Sequence, residues 1–278
     1  MIEQIVQRVW PGADARVEVL GGGITNRNFR VDVGGESFVL RIGGKDTELL
    51  GIDRAAEYGA SLAAAQVGVG PEVVAFLEPE GYLVTRFVEG ENGRIDPARA
   101  GATLRVVHDG PRFPGRFNPF RVVEAYAATA LAHGVRVPAA YTGAQQCAGE
   151  IERRLGARPL CPCHNDLLNA NFIDDGERIR IVDWEYAGMG DPYFDLGNFA
   201  VNHQLDEGGE DDLLTAYGGD DRGALTLMRF MSDFREAMWG VVQQGISELD
   251  FDFQTYAAEH FERLERTASD PRFRRALD

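Results

Sequence analysis

Between Cys161 and Gly188 the chain reads CPCHNDLLNANFIDDGERIRIVDWEYAG, and this stretch constrains the fold more than any other. Two short strand-like pieces, Asn-Phe-Ile from Asn171 and Ile-Arg-Ile-Val up to Val182, are joined by Asp-Asp-Gly-Glu. That pattern predicts a β-hairpin. A hairpin brings its two ends together, so Asn171 and Asp183 become neighbours although they lie twelve positions apart. His164, Asn165 and Asp166 stand just before it. Each buried polar group needs a hydrogen-bond partner. A run this polar is therefore either a wet surface loop or a site.

The flanking chain gives the hairpin its setting. Residues 2–10 predict a short helix stopped by Pro11-Gly12. Asn28–Val33 and Ser37–Ile42 alternate polar and apolar residues, the period of a strand, with the turn signal Gly34-Gly35 between them. Residues 46–66 are rich in Ala, Leu and Glu and predict a helix. Strands follow at 72–77 and 82–88, joined by Glu-Pro-Glu-Gly. Phe87–Pro97 is polar and Gly-rich and reads as a linker. Beyond it the pattern turns helical, at about 97–109, 119–133, 143–156, 193–203, 210–217, 221–246 and 252–268. The expected fold class is α+β in two lobes. Residues 1–88 form a small β-rich lobe with one long helix, and residues 89–278 form a larger, mainly helical lobe. Ligand sites favour such boundaries.

Composition narrows the partners. The chain has 278 residues, 44% of them apolar, enough for a sizeable core. Its formal net charge of −16 argues against a nucleic-acid surface. The charge is either a solvated acidic surface or a field that steers cationic substrates. Three cysteines do not make a disulfide framework. Cys161-Pro162-Cys163 resembles half of a metal site, but no second cysteine pair accompanies it. The amphipathic N-terminus lacks a signal-peptide pattern, and no apolar run approaches the ~18 residues of a membrane span. A cytoplasmic location is the expectation.

Three pieces carry chemistry. In LGGGITNRNFRV, Leu20–Val31, the glycines let backbone approach a ligand closely, and exposed N–H groups with the Thr25 hydroxyl suit phosphate oxygens. On the residues alone a flexible turn is the simpler reading. The next strand carries Arg41 on the face opposite Phe38, Leu40 and Ile42. Glu57 on the following helix is a plausible partner, although a surface Arg and a surface Glu fit as well. The hairpin is the third piece. Asn171 and Asp183 would offer oxygens to a hard cation such as Mg, and Asp166 would accept a hydroxyl proton. A Gly-rich cover, a cation, an Asp base, an Asn and an Asp, in that order, is the arrangement phosphoryl transfer uses.

The stretch CHNDLLNANFI…IVDWEYAG…DPYFDLGNF closely resembles the choline/ethanolamine kinase family of bacterial type, within the aminoglycoside phosphotransferase and protein-kinase-like superfamily. The resemblance covers most of the chain and implies a protein-kinase-like fold with ATP and Mg as cofactors. It implies a phosphate loop at Gly22, Gly23, Thr25 and Asn26, and a nucleotide-binding strand and helix at Arg41 and Glu57. It implies a hinge, LVTRFVEG, that receives adenine near Phe87 and Val88. Asp166 resembles the catalytic base, and Asn171 and Asp183 the metal ligands. His164 would orient the loop, Asp195 would brace it from beneath, and Glu185 would line the metal site or stand behind it. In FREAMWGVVQQGISELDFDFQTYAAEHF, Trp239 and Tyr256 match positions of an aromatic cation cage. Glu236 replaces a cage Trp and would supply a negative charge to the cation instead, since positions 236 and 239 share a helix face, and Asn202 stands where the animal enzymes have an acid. Ordinary packing explains Trp239 equally well.

The expected function is ATP- and Mg-dependent phosphorylation of a small, cationic amino alcohol. Two alternatives stay open: the same chemistry on an aminoglycoside, sugar or thiamine-like alcohol, and a non-catalytic nucleotide-binding protein. A metal-dependent hydrolase built on His164 lacks a second histidine cluster.

Overall fold

The computed structural model describes residues 2–21 and 26–278. Helix α1 (Ile2–Val9) opens the chain. It is followed by β1 (Ala15–Leu20), β2 (Asn26–Val33) and β3 (Glu36–Gly43). Next come α2 (Arg54–Gln66), β4 (Val73–Leu77) and β5 (Tyr82–Arg86). These strands make one antiparallel sheet in the order β1-β2-β3-β5-β4. Alternation dictates its faces. Phe29, Val31, Phe38, Leu40, Ile42 and Val84 are buried together against Ile5 and Val6 of α1. Gly22, Gly23 and Thr25, expected to form the phosphate loop, lie outside the described residues.

The helix expected over 46–66 starts later. Thr47–Leu50 is a 3₁₀ turn ended by Gly51 at φ 78°, where a side chain would be strained. The α-helix begins only after Asp53, whose carboxylate accepts hydrogen bonds from the N–H groups of Ala55 and Ala56. That is an N-cap. The buried Ala60, Ala63 and Ala64 of α2 belong to the large core rather than to the sheet's own cluster. Their small side chains let the helix lie between the two.

The rest of the chain runs β6 (Glu91–Asn92), α3 (Pro97–His108), α4 (Pro119–Ala132), α5 (Ala140–Leu155), β7 (Cys161–Cys163), β8 (Phe172–Asp174), β9 (Ile179–Ile181) and β10 (Gly188–Gly190). It closes with α6 (Pro192–Asn202), α7 (Glu207–Tyr217), α8 (Arg222–Ile246), α9 (Phe253–Ser269) and α10 (Pro271–Leu277). Helix α8 is buried on nearly all sides. It is the axis around which α4, α6, α9 and α10 pack. No helix among the described residues is long and apolar enough to cross a membrane.

Candidate active site

The β8–β9 hairpin forms with Phe172 opposite Ile181. The next pair outward is Asn171 and Val182, joined by a hydrogen bond from the Val182 N–H to the Asn171 carbonyl at 3.0 Å. Asp183 then leaves the strand at φ 67°. Asp and Asn tolerate this left-handed conformation better than most residues. The turn aims the chain at a cleft between the lobes, a cavity of about 390 Å³. Asn171, Asp183, Arg41, Phe87 and Val88 all line it.

Arg41 is buried between Glu57 and Asp183 and pairs with both. A guanidinium thus already neutralises Asp183, where a cation would be needed. The Asn171 amide nitrogen donates to the Asp166 carbonyl at 2.8 Å. Among the described residues nothing donates to its amide oxygen. One carboxylate and one amide oxygen on a cleft wall are hard donors of the kind Mg takes, together with water and phosphate oxygens. The residues present therefore fit that ion.

Two expected residues meet Arg54. Asn26, expected at the phosphates, donates to Glu185 at 2.9 Å and accepts from Arg54 at 3.1 Å. Glu185, expected to line the metal site or stand behind it, also accepts from Arg54 at 3.1 Å. Arg54 in turn reaches Glu57 at 2.7 Å. These buried groups stitch β2 and α2 to the segment after Asp183, because none of them can be left without a partner.

Helix α6 holds the loop that carries Asp166. Asp195 is fully buried. It accepts the backbone N–H of His164 at 2.8 Å and that of Asn165 at 2.7 Å. His108 meets the same carboxylate at 3.1 Å. Asn198 accepts the Leu167 N–H, and Asn202 donates to the Leu167 carbonyl at 3.3 Å. Residues 195, 198 and 202 follow the three- and four-residue spacing of one helix face. Asn202, expected at the acceptor, is thus engaged with the loop backbone instead. His164 is buried and bonded through its two ring nitrogens to the Val182 carbonyl at 2.9 Å and the Asp166 N–H at 3.2 Å. Burial holds its pKa below the ordinary value.

On the far side of Asp166 lies a buried group that sequence reasoning missed. Arg235 of α8 is 1% exposed. It donates to Asp166 at 3.0 Å, pairs with Glu236, and lies 4.2 Å over the Tyr186 ring. Glu236, expected to receive an acceptor cation, has one oxygen on Arg235 and the other on the Tyr256 hydroxyl at 2.8 Å. Burial opposes its charge, but Arg235, His260 and Tyr256 hold the Glu236 carboxyl below its usual range. Trp239 donates to the Tyr186 hydroxyl at 3.2 Å and meets Tyr256 edge-on at 5.5 Å between centroids. Burial pushes the Asp166 carboxyl up to about 8; Arg235 pulls against it, while Glu236, Asp183 and Glu185 add to it. Glu236→Gln is expected to lower unfolding free energy by about 1–3 kcal/mol, the range for a buried charged hydrogen bond. Urea unfolding measures it, and an unchanged midpoint contradicts the pairing.

A twisted antiparallel sheet over a helical lobe, with an Asp-bearing loop and a metal-suited hairpin in the cleft between them, defines a two-lobed, protein-kinase-like phosphotransferase. The chain belongs to the APH phosphotransferase enzyme family, whose model matches residues 16–230. It is similar over its whole length to a choline/ethanolamine kinase family protein of Mesorhizobium loti. The two share 34% identity and a TM-score of 0.85, with 98% of that chain covered. Protein LicA of Haemophilus influenzae is 27% identical over 214 residues, which span 70% of this chain and 61% of that relative. The crystal structure of LicA in complex with AMP shares the fold at a TM-score of 0.81 and 22% identity, covering 96% of each chain.

Proposed function

We propose that this chain transfers the γ-phosphoryl group of Mg-bound ATP to the hydroxyl of a small amino alcohol. The supporting observation is the meeting of Arg41, Asn171 and Asp183 in one cleft, with Asp166 on the loop that leads into it. The choline/ethanolamine kinase relative and the AMP complex of LicA agree with this reading.

The hinge backbone near Phe87 and Val88, which lines the cleft, would receive adenine. Arg41, kept in place by Glu57, faces the phosphates. Asn171 and Asp183 would hold Mg, which would neutralise charge at the phosphates. In its ionised form Asp166 orients the acceptor hydroxyl and takes its proton as the oxygen attacks the γ-phosphorus. The bond from that phosphorus to the bridging oxygen breaks, and ADP leaves. Positioning and fixed charge account for most of the acceleration in such a reaction.

Asp183→Ala is expected to abolish the Mg dependence of nucleotide affinity. Calorimetry with ATP, in the presence and absence of Mg, measures this. An undiminished Mg effect removes Asp183 from the role.

One observation favours a second acceptor class. Arg235 lies on the Tyr186 face and engages Glu236, so the seat of aromatic rings and acid already contains a cation. An acceptor without a permanent positive charge, such as a sugar, would not compete with it. A screen of ATP consumption with choline, ethanolamine, thiamine, simple sugars and aminoglycosides decides between the two. Turnover with the amines alone supports the first reading, and turnover with the sugars alone the second.

A further inference from the structure

The phosphotransfer chemistry leaves Cys161 and Cys163 without a role. They are free thiols on β7, one half-buried and one buried. Residues two apart on a strand face the same way, and the two sulfurs lie 3.6 Å apart. Helix α3 brings His108 to them across 53 positions of sequence. One ligand atom from each of His108, Cys161 and Cys163 lies within 4.8 Å of the others. Two sulfurs bound to one tetrahedral zinc stand ~3.8 Å apart, given Zn–S bonds of ~2.3 Å. The strand thus presents its thiols at nearly the spacing such an ion needs.

The surroundings of His108 fit as well. One ring nitrogen, Nε2, meets the Asp195 carboxylate at 3.1 Å, and the other, Nδ1, meets the Tyr217 hydroxyl at 2.9 Å. Metal-ligating histidines almost always donate the other ring N–H to a carboxylate, a backbone carbonyl or a water, which fixes the ring and raises its basicity. Asp195 would do that here.

We propose that His108, Cys161 and Cys163 form a binding site for a borderline-soft divalent cation, with Zn²⁺ the ion its donors suit. Thiolate and imidazole select such ions over Mg, which takes hard oxygens. His108 exchanges the Tyr217 hydroxyl for the ion at Nδ1 and keeps Asp195 at Nε2. Each thiol releases its proton to solvent as a sulfur–metal bond forms. Half-buried Cys161 is the way in. The fourth position is left to the displaced Tyr217 hydroxyl or a water. The site is separate from Asn171 and Asp183, and the inference stands whatever alcohol the enzyme phosphorylates.

The test uses the full chain, reduced and stripped of metal, in excess Mg. It is titrated with Co²⁺ and then with Zn²⁺ against a chromophoric chelator. One equivalent of Co²⁺ is expected to produce a thiolate-to-metal charge-transfer absorption, which Zn²⁺ abolishes. Cys161→Ser is expected to weaken Zn²⁺ binding by more than roughly 100-fold, the upper end of what loss of an outer-shell partner costs. Cys147→Ser, on α5, is expected to bind as the parent does. A parent spectrum without the thiolate band overturns the proposal, and so does a Cys161→Ser variant that binds Zn²⁺ as tightly as the parent.

Discussion

Asp166→Asn is expected to cut turnover on the accepted alcohol by about 10²–10⁴-fold, the usual contribution of a general base. ATP affinity should stay within a few-fold, because the groups proposed to face the phosphates are Arg41, Asn171 and Asp183. The substitution keeps the shape of the side chain. It also removes one of the two buried acids paired with Arg235, whose other partner, Glu236, remains. The fold should therefore survive. Single-turnover kinetics with pre-bound nucleotide separate the chemical step from binding. Near-normal turnover in a variant that still binds ATP takes the proton-accepting role away from Asp166.

The second large effect is on stability. Asp195→Ala is expected to lower unfolding free energy by about 3–5 kcal/mol, as breaking a buried ionic pair does. The loss has two parts. The backbone N–H groups of His164 and Asn165 lose their acceptor at 2.8 and 2.7 Å, and His108 loses its carboxylate. An unpaired buried donor costs about 1–3 kcal/mol. Urea unfolding in metal-free buffer should show a lower midpoint with an unchanged slope. A shift below about 1 kcal/mol would mean that the loop is held from elsewhere. Activity should fall with stability, because the same two N–H groups set the path of the chain into Asp166.

Much of this was legible in the sequence. The alternation in Asn28–Val33 and Ser37–Ile42 placed β2 and β3 within a few residues of their ends. The Asp-Gly turn between two short apolar runs was enough for the β8–β9 hairpin, because a strand's period and a turn's chemistry are both local. The start of α2 was misread because Ala, Leu and Glu richness continues through residues that Gly51 and the Asp53 cap keep out of the helix. Helix α10 was missed: seven residues starting at Pro271 show too little periodicity to stand out. Arg235 was hidden for a different reason. On a helix buried all round, spacing does not reveal which face meets Asp166, 69 positions earlier. The same holds for His108, whose meeting with the two thiols depends on how α3 packs. Glu236 was picked out as a charge at the acceptor, but its neighbour in sequence is its partner in space.

The alanines of α2 lie in the same core as Leu104, Phe172 and Trp184. The smaller lobe keeps a cluster of its own under the sheet, but its helix shares the larger lobe's interior. A ligand that favours the folded cleft raises the cost of opening the chain everywhere, by mass action rather than by local contact. Loosening the distant helical packing would, through the same shared interior, weaken the hold on ATP.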